Sequence, residues 1–437
     1  MTYQPVVDRF TIPIPLDPWS AAVFAAAFVA AAIVTARRPA YGLCGLIAVT
    51  PFALYREIAG TTVTLPKVVL VGVLIGLASY PGIVRRLRAR PVGFVLAAFA
   101  LYITILAFTI VDAAHPAATV REVLKWIEYA VLVAASYLCY ALDPDDGALS
   151  AAVAVTAIVV SLSALAQEVS GAPSGLYVGN AIVPRIAGVL EGPNQLAGYF
   201  EVATAVLAAW LCVRRSPLLQ VALAFAVCAD VLTFSRAGLF GLVVVAVVVI
   251  VACGATAWRA FRPAVAGLAA GLAVTGVWAI YAHTLNVLRV SLEESAYAGG
   301  VGDRGELWRA AWRMWRDRPL LGVGAGNYEL ELPAYGAPGL RTHANSWFLQ
   351  SLAEGGLALF VATLCVIASL LGTFVRGVRG ASPWVVAAAA ASVALALHQI
   401  ADYLVFYPKV AGAWWLLAGI ACARIALDST AASAAPA

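Results

Sequence analysis

Long apolar runs separated by short polar segments dominate the chain. A membrane-spanning helix needs about 20 apolar residues. Runs of that kind predict spans near residues 20–36, 40–55, 66–84, 92–112, 123–142, 148–168, 196–213, 217–234, 238–256, 263–282, 346–375, 383–405 and 409–427. The pattern therefore predicts an all-α polytopic integral membrane protein with about 12 transmembrane helices, or about 13 if the short run at 40–55 crosses fully.

Composition supports this class. Hydrophobic residues make up 63% and charged residues 12% of the 437 positions, whereas soluble globular proteins carry about 25% charged residues. A membrane β-barrel would show short segments of alternating polarity, and the apolar runs here are continuous. The seven cysteines are scattered, so their spacing indicates neither a metal site nor a disulfide framework. The N-terminus has no basic region followed by an apolar core, and no cleavable signal peptide is predicted.

Basic clusters follow alternate spans. They are Arg37/Arg38, "RRLRAR" at 85–90, Arg214/Arg215, "WRAFR" at 258–262 and "RGVRG" at 376–380. The positive-inside rule predicts that these loops face the cytoplasm. With 13 spans the N-terminus would then lie outside, and with 12 spans inside. The opposite, extracytoplasmic loops are 169–195, 233–238, 283–345 and 401–409. Ionisable residues at span ends on that face indicate a functional site.

These spans and loops predict a simple division of the chain. Residues 1–282 would hold the first ten or so spans, 283–345 a large periplasmic loop, 346–427 the last spans and 428–437 a disordered tail. In the large loop Trp308, Trp312 and Trp315 are spaced at i, i+4 and i+7. That spacing predicts one stripe of an amphipathic helix lying in the headgroup region.

Three arginines of the extracytoplasmic face could act together. Arg185 precedes a span, Arg236 lies in a tight connection between two spans, and Arg304 precedes the amphipathic helix. Arginine binds phosphate oxygens in a bidentate fork and stays charged at any working pH, so three of them suggest a pyrophosphate ligand. Simpler interpretations are a snorkelling interfacial side chain for Arg185 and a local ion pair with Asp303 or Glu306 for Arg304.

His343 and Asp402 are the candidates for proton chemistry and its support. The reference pKa of histidine is about 6.5, and a neighbouring Arg341 would lower it and keep His343 a neutral base. Asn345 is predicted to cap the helix that starts at Ser346 and so to aim His343.

Asp402 could orient His343 or pair with an arginine. The simpler interpretations are that His343 satisfies a helix N-terminus and that Asp402 contacts His398 one turn earlier. Asn194 is predicted to cap the span that follows it.

The residues of the second half resemble those of the O-antigen ligase and polymerase superfamily of membrane glycosyltransferases. The matching stretches, in the family's order, are "PRIAGVLEGPNQLAGYF", "TFSRAGLFGL", "DRGELWRAAWRMWRDRPLLGVGAGNY" and "THANSWFLQSLAEGGLALF". The resemblance implies a GT-C-type architecture in the bacterial inner membrane with the active site facing the periplasm. It implies inverting, metal-independent transfer of a glycan from undecaprenyl pyrophosphate to an acceptor hydroxyl, with no nucleotide cofactor and no nucleic-acid partner.

The resemblance also assigns roles to the candidate residues. Arg236 and Arg304 would hold the pyrophosphate, with Arg185 as a further phosphate or sugar contact. His343 would act as the base or orient the acceptor, and Asp402 would support it. Arg341, Asn194 and Asn345 remain supporting candidates.

Within the superfamily the acceptor stays open. A ligase would use the sugar core of lipid A, a polymerase another lipid-linked repeat, and a third branch a pilin-type protein. We expect the ligase. The alternative from another class is a lipid or solute transporter, which would place its ionisable residues near the membrane midplane in two repeated halves.

Overall fold

The computed structural model describes residues 12–13, 18–52, 54–58, 61–171, 174–178, 181–281, 301–337, 342–376, 378–379 and 381–434. Helices dominate this part of the chain. They are α1 (Pro18–Arg37), α2 (Pro39–Val49), α3 (Leu65–Leu77), α4 (Arg90–Phe108), α5 (Pro116–Leu142), α6 (Asp146–Ser170), α7 (Pro193–Val213), α8 (Pro217–Leu232), α9 (Arg236–Cys253), α10 (Trp258–Tyr281), α11 (Val301–Asp317), α12 (Tyr328–Glu331), α13 (Trp347–Phe374), α14 (Pro383–His398) and α15 (Pro408–Ala434).

Seven helical segments of the described residues are long and apolar enough to cross a membrane. One of them, Arg236–Val277, comprises α9 and most of α10. Five further apolar helices are shorter, at 10–17 residues. These findings support a multi-pass helical membrane protein, whereas the count of 12 spans and the GT-C architecture remain predictions.

Helix α7 lies at the centre of the helix packing. It contacts α6, α8, α9, α10, α14 and α15, and its side chains from Gln195 to Cys212 are buried. A second group of buried side chains joins α4, α5, α13 and α15 through aromatic rings. There Trp126 stacks on Trp347 with ring centroids 5.8 Å apart and also touches Tyr102 and Trp415. This ring cluster supports the start of α13, directly after His343.

The described residues include two short β-sheets that the sequence analysis did not predict. Strands β1 (Ile12–Pro13), β2 (Leu54–Ile58) and β3 (Thr61–Thr64) form one sheet, with β1 parallel and β3 antiparallel to β2. Strands β4 (Ser174–Val178) and β5 (Ala181–Arg185) form an antiparallel hairpin. Pairing satisfies the backbone donors and acceptors of these segments. The hairpin matters for the site because it ends at Arg185.

The short predicted span at 40–55 is a helix only from Pro39 to Val49. At one end, the Arg38 guanidinium donates to Asp143 at 2.9 Å. At the other end, Thr50 lies against Gly412, in the second turn of α15. The segment therefore reaches from one end of the helix bundle nearly to the other in fewer residues than a full span needs.

Two predicted boundaries near the C-terminus were wrong. The span predicted at 383–405 ends at His398, because polar side chains bind the following backbone in place of helical bonds: Gln399 Oε1 accepts from the Val405 amide and Asp402 Oδ1 from the Tyr403 amide. Helix α15 continues to Ala434, so residues 428–434 of the predicted disordered tail are helical. Alanine has the highest helix propensity of the residues, which explains the continuation.

The large loop between α10 and α13 folds onto α13. On α11 the buried face consists of Leu307, Ala310, Ala311 and Met314, which pack with Tyr328, Leu332 and Ala353. The tryptophan stripe lies beside this face, and Trp312 is 48% exposed. The predicted amphipathic helix is therefore present, with its aliphatic face against the protein. The indole nitrogens of Trp308 and Trp315 are buried as well, so the stripe is only partly exposed, and its position in the headgroup region stays a prediction.

Candidate functional site

The candidate residues gather at one end of the helix bundle, which we call the site end. It is formed by β5, the segments 186–192, 233–235, 342–346 and 399–407, and the start of α11. The basic clusters lie at the opposite, basic end, where Arg38 binds Asp143, Arg86 binds the Ala141 carbonyl and Arg259 binds the Cys212 carbonyl.

Arg185 is held in place by the backbone and by one side chain. Its Nε donates to the Thr233 carbonyl oxygen at 2.9 Å and a terminal nitrogen donates to Asn194 Oδ1 at 3.2 Å. Burial lowers the pKa of Arg185 to about 10; the nearby cations Arg304 and Arg236 lower it as well, and Asp402 opposes them. Arg185 is therefore still charged at neutral pH, in a position where an anion would relieve the repulsion.

Asn194 connects Arg185 to Asp402. Its Nδ2 donates to Asp402 Oδ2 at 2.8 Å while its Oδ1 accepts from Arg185. The prediction that Asn194 caps α7 was wrong, because Gly192 occupies the cap position and Pro193 opens the helix. Proline suits that first position since it lacks the N–H that would need a cap, which leaves the Asn194 side chain available to bridge the two charged groups.

Arg236 and Arg304 complete the positive cluster from two other elements. Arg236 is exposed and is the first residue of α9, which Ser235 caps through the Gly238 amide. A cation at a helix N-terminus adds to the positive end of the helix dipole. Arg304, on α11, lowers the pKa values of both Arg185 and His343. Arg236 and Arg304, from α9 and α11, thus both act by their charge on Arg185 of β5, and the joint binding of one ligand by the three arginines stays a prediction.

His343 is buried, and both of its ring nitrogens have partners. Nδ1 accepts a hydrogen bond from the Asn345 amide at 3.1 Å, and Nε2 lies 2.9 Å from the Tyr407 hydroxyl oxygen. A neutral imidazole carries one proton, so an Nδ1 that accepts leaves the proton on Nε2, from which it is donated to Tyr407. Burial lowers the pKa of His343 to about 4; Asp402 opposes this shift, and Arg304 and Lys125 add to it. His343 is neutral at physiological pH.

Asn345 positions His343 through its backbone. Its φ is +48°, a left-handed conformation that asparagine tolerates better than most residues, and its amide points back to His343 Nδ1. The prediction that Asn345 caps the helix was wrong: Ser346 is the cap residue of α13 and accepts from the Leu349 amide. Arg341, predicted to support His343, lies outside the described residues.

The start of α13 is joined to the loop that carries Asp402. The Trp347 amide donates to the carbonyl oxygens of Gln399 and Asp402 at 3.0 and 3.1 Å. The hydrogen bonds of the Asp402 carboxylate go to Asn194 and the Tyr403 amide, so among the described residues it supports Arg185 through Asn194 and affects His343 only through space.

Sequence reasoning missed Tyr407, the hydrogen-bond partner of His343. Tyr407 is 7% exposed, and burial raises the pKa of its hydroxyl, so it stays protonated. The nearby "YLVFYPK" stretch at 403–409 places three aromatic rings around His343, from Tyr403, Phe406 and Tyr407. In the sequence, the signal for this environment was the run of aromatic residues that follows Asp402. That run begins 60 residues after His343.

The predicted local contact between His398 and Asp402 was wrong. His398 Nδ1 lies 2.5 Å from Glu201 Oε1 of α7, because α14 ends at His398 and Asp402 lies in the following loop. Glu201 and Asp230 are fully buried. Glu201, Asp230 and His398 lie on α7, α8 and α14, and Asp230 and His398 come within three residues of the site-end segments 233–235 and 399–407.

Comparison with known proteins adds one finding to this geometry. Residues 221–364 match the O-antigen ligase family model, a region that contains Arg236, Arg304 and His343. No curated protein matches the chain. The match supports a glycosyltransferase-like membrane enzyme of ligase or polymerase type. The resemblance predicted from the sequence is thereby confirmed: residues 221–364 are an O-antigen ligase family domain.

Proposed function

We propose that the protein is an O-antigen ligase that transfers a glycan from undecaprenyl pyrophosphate to a hydroxyl of the lipid A–core oligosaccharide at the periplasmic face of the inner membrane. The observation that carries the proposal is the gathering of Arg185, Arg236 and Arg304 beside a neutral, buried His343. Three guanidinium groups are complementary in charge to a polyanion, and a neutral buried imidazole can form a hydrogen bond with an uncharged hydroxyl.

In this mechanism the arginines bind the pyrophosphate of the donor. Guanidinium groups form paired, charge-assisted hydrogen bonds to phosphate oxygens. They would also stabilise the negative charge that develops on the leaving pyrophosphate as the bond between sugar C1 and oxygen breaks. Arg185 is preorganised for this role, since Thr233 and Asn194 hold its guanidinium before any ligand arrives.

His343 would orient the acceptor hydroxyl. The amide of Asn345 occupies the lone pair of Nδ1, and Nε2 carries the proton that is donated to Tyr407. To take a proton at Nε2, the imidazole would need the opposite tautomer and would lose the Asn345 bond. These hydrogen bonds favour an orienting role, in which the Nε2–H of His343 is donated to the acceptor oxygen in place of Tyr407, over the role of general base.

The positions of the charges favour a transferase over a carrier. Arg236 begins a helix, His343 precedes one and Asp402 lies in a loop. A secondary transporter would hold its coupling residues on broken helices at the membrane midplane. The buried residues Glu201, Asp230 and His398 lie on α7, α8 and α14, which are continuous helices without a break.

An assay of glycan transfer in liposomes tests the proposal. The donor is a polyprenyl-pyrophosphate glycan, and the acceptor is either lipid A–core or a second lipid-linked glycan. We expect product on lipid A–core with the wild type. Arg304→Ala should lose at least 100-fold in rate, the size expected for removing a preorganised group at the developing charge. Arg316→Ala, on the exposed surface of the same helix, is the matched control and should retain activity.

The outcomes separate the alternatives. Product on the lipid-linked glycan alone would identify a polymerase. Equal transfer from a monophosphate donor would contradict pyrophosphate binding by the arginines. Absence of product with every acceptor, from protein that stays folded, would reject the transferase. His343→Gln keeps a hydrogen-bond donor without a base, so an orienting role predicts partial activity and a general-base role predicts a loss of about 10² to 10⁴.

A further inference from the structure

A cleft opens at the basic end, far from the arginines of the site end. It lies between the start of α4, the end of α13 and the second half of α15, and its volume is about 510 Å³. Pockets of about 300 to 1,000 Å³ hold small molecules in proteins. Its lining residues include Arg90, Phe94, Ala368, Gly372, Arg376 and Ile425.

The cleft is positively charged. Arg90 and Arg376 are both exposed and line its wall. The carboxylates that the structure describes at this end are bound elsewhere: Asp143 and Asp145 to Arg38, and Asp428 to Arg424.

Two features add to this charge. Asp146 accepts from Tyr140 and Trp384, so it too is engaged away from the cleft. Arg90 is also the first residue of α4, and the positive end of that helix dipole adds to the field of the two guanidinium groups. The cleft therefore attracts an anion.

The rest of the cleft wall is apolar and open. Phe94 is 58% exposed, although it belongs to a membrane-length helix. A Cβ at Gly372 would have no neighbouring atom within 4 Å, so the side of α13 that faces the cleft is unfilled. A soluble anion has no apolar part that could contact this wall. A lipid has a charged headgroup for the arginines and hydrocarbon chains for the apolar wall.

We propose that this cleft binds an anionic glycerophospholipid, with its phosphate between Arg90 and Arg376 and its hydrocarbon along Phe94. Basic pockets between membrane helices on the cytoplasmic side bind such headgroups, and the positive-inside rule assigns this end to the cytoplasm. A bound lipid would join α4, α13 and α15. The proposal does not depend on the glycosyl-transfer reaction.

Purified full-length protein tests the proposal by thermal unfolding and by native mass spectrometry. The probes are phosphatidylglycerol, cardiolipin, phosphatidylcholine and inorganic phosphate. We expect the two anionic lipids to raise the melting temperature and to remain bound in the mass spectrum. Phosphatidylcholine and inorganic phosphate should do neither. Equal stabilisation by phosphatidylcholine, or by phosphate alone, would overturn the proposal.

Variants locate the lipid. Arg90→Ala combined with Arg376→Ala should weaken binding of the anionic lipids at least tenfold, whereas Arg215→Ala, an exposed arginine elsewhere at the same end, should not. Anionic lipids that bind the double variant as tightly as the wild type would overturn the assignment of the site.

A second variant keeps the charges and removes the space. Gly372→Phe places a ring in the unfilled part of the cleft, and we expect it to weaken lipid binding at least tenfold without changing the net charge. If the double arginine variant fails to fold, this variant decides alone: unchanged lipid affinity would contradict a cleft-bound lipid.

Discussion

Asn194 has the most specific structural role of the residues around the arginines. It accepts from Arg185 and donates to Asp402, so one neutral amide joins a cation to an anion without allowing them to form a direct pair. The bridge fixes the direction of the Arg185 guanidinium. Asp402 is therefore best described as a positioning residue for Arg185.

Replacing Asn194 tests this role. Asn194→Ala removes hydrogen bonds to two charged groups, which are worth about 1.5–3 kcal/mol each. We expect kcat/KM for the pyrophosphate donor to fall about tenfold to a hundredfold, with most of the loss in KM for the donor. An unchanged KM with unfolding at a lower temperature would instead indicate a purely structural role.

The buried imidazole of His343 predicts a pH dependence of stability. Its pKa is lowered to about 4 in the folded protein, below about 6.5 for an unfolded histidine. The unfolded state therefore binds more protons between these values, and the stability that the neutral imidazole contributes is lost as the pH falls from about 6.5 towards 4.

Melting temperatures of the wild type and His343→Gln, measured from pH 8 to pH 4, check this prediction. The wild type should lose stability relative to the variant on acidification. Parallel curves would show that His343 does not titrate as its burial predicts. Because His343 stays neutral from about pH 5 upward, its titration should not change the transfer rate in that range.

At the scale of the element, the break in α13 couples the large loop to the membrane helices. Gly356 has φ +60° and ψ −157° inside the helix, a conformation that is essentially restricted to glycine. The interrupted backbone pairs with the loop: the Val323 and Gly324 amides donate to Ala353 and Glu354, and the Leu357 amide donates to Pro319. This docking fixes the loop segment that follows α11, the helix that carries Arg304, against the helix that follows His343.

Gly356→Ala should disrupt this docking. A Cβ there would lie 2.4 Å from the Leu320 carbonyl carbon, and the strained backbone alone costs on the order of 1–3 kcal/mol. We expect a lower melting temperature and faster proteolysis of the loop.

Gly276→Ala in α10 is the matched control, because a Cβ at Gly276 has no neighbour within 4 Å. In a helix that change should stabilise by about 0.5–1 kcal/mol. Equal effects of the two substitutions would contradict a special role for Gly356.

At the scale of the whole molecule, the two ends of the helix bundle have different chemistry. At the basic end Arg38 and Arg424 pair with carboxylates, and two further arginines line the proposed lipid cleft. At the site end Arg185 lies in the field of Arg236 and Arg304. The segments of the site end follow and precede alternate helices of the bundle, so a protein with this connectivity presents them to one side of the membrane.

Labelling of introduced cysteines tests the orientation. Asp317→Cys lies at the end of α11 in the large loop and Arg215→Cys at the basic end, and both positions are exposed. In spheroplasts we expect a membrane-impermeant maleimide to label Asp317→Cys and not Arg215→Cys. After permeabilisation of the membrane it should label both cysteines. The reverse pattern would place the site end in the cytoplasm and contradict a periplasmic transferase.

The sequence by itself determined the helical membrane class and most helix positions, because about 20 apolar residues in a row have no stable alternative to a helix in a bilayer. It also singled out Arg185, Arg236, Arg304 and His343 as candidates, since they stand out in a chain with few charges. The short strands and the end of α14 were missed, because weak polar contacts of the backbone decide them.

Only the tertiary structure decided what each site residue contacts. Asn194 and Asn345 were both predicted as helix caps from local spacing, yet Asn194 bridges Arg185 to Asp402, 208 residues along the chain from Asn194. The partner of His343 is Tyr407, 64 residues away, and that of His398 is Glu201 on α7. Contacts between helices distant in sequence depend on which faces pack together, and apolar runs that are hydrophobic on every face carry no record of that choice.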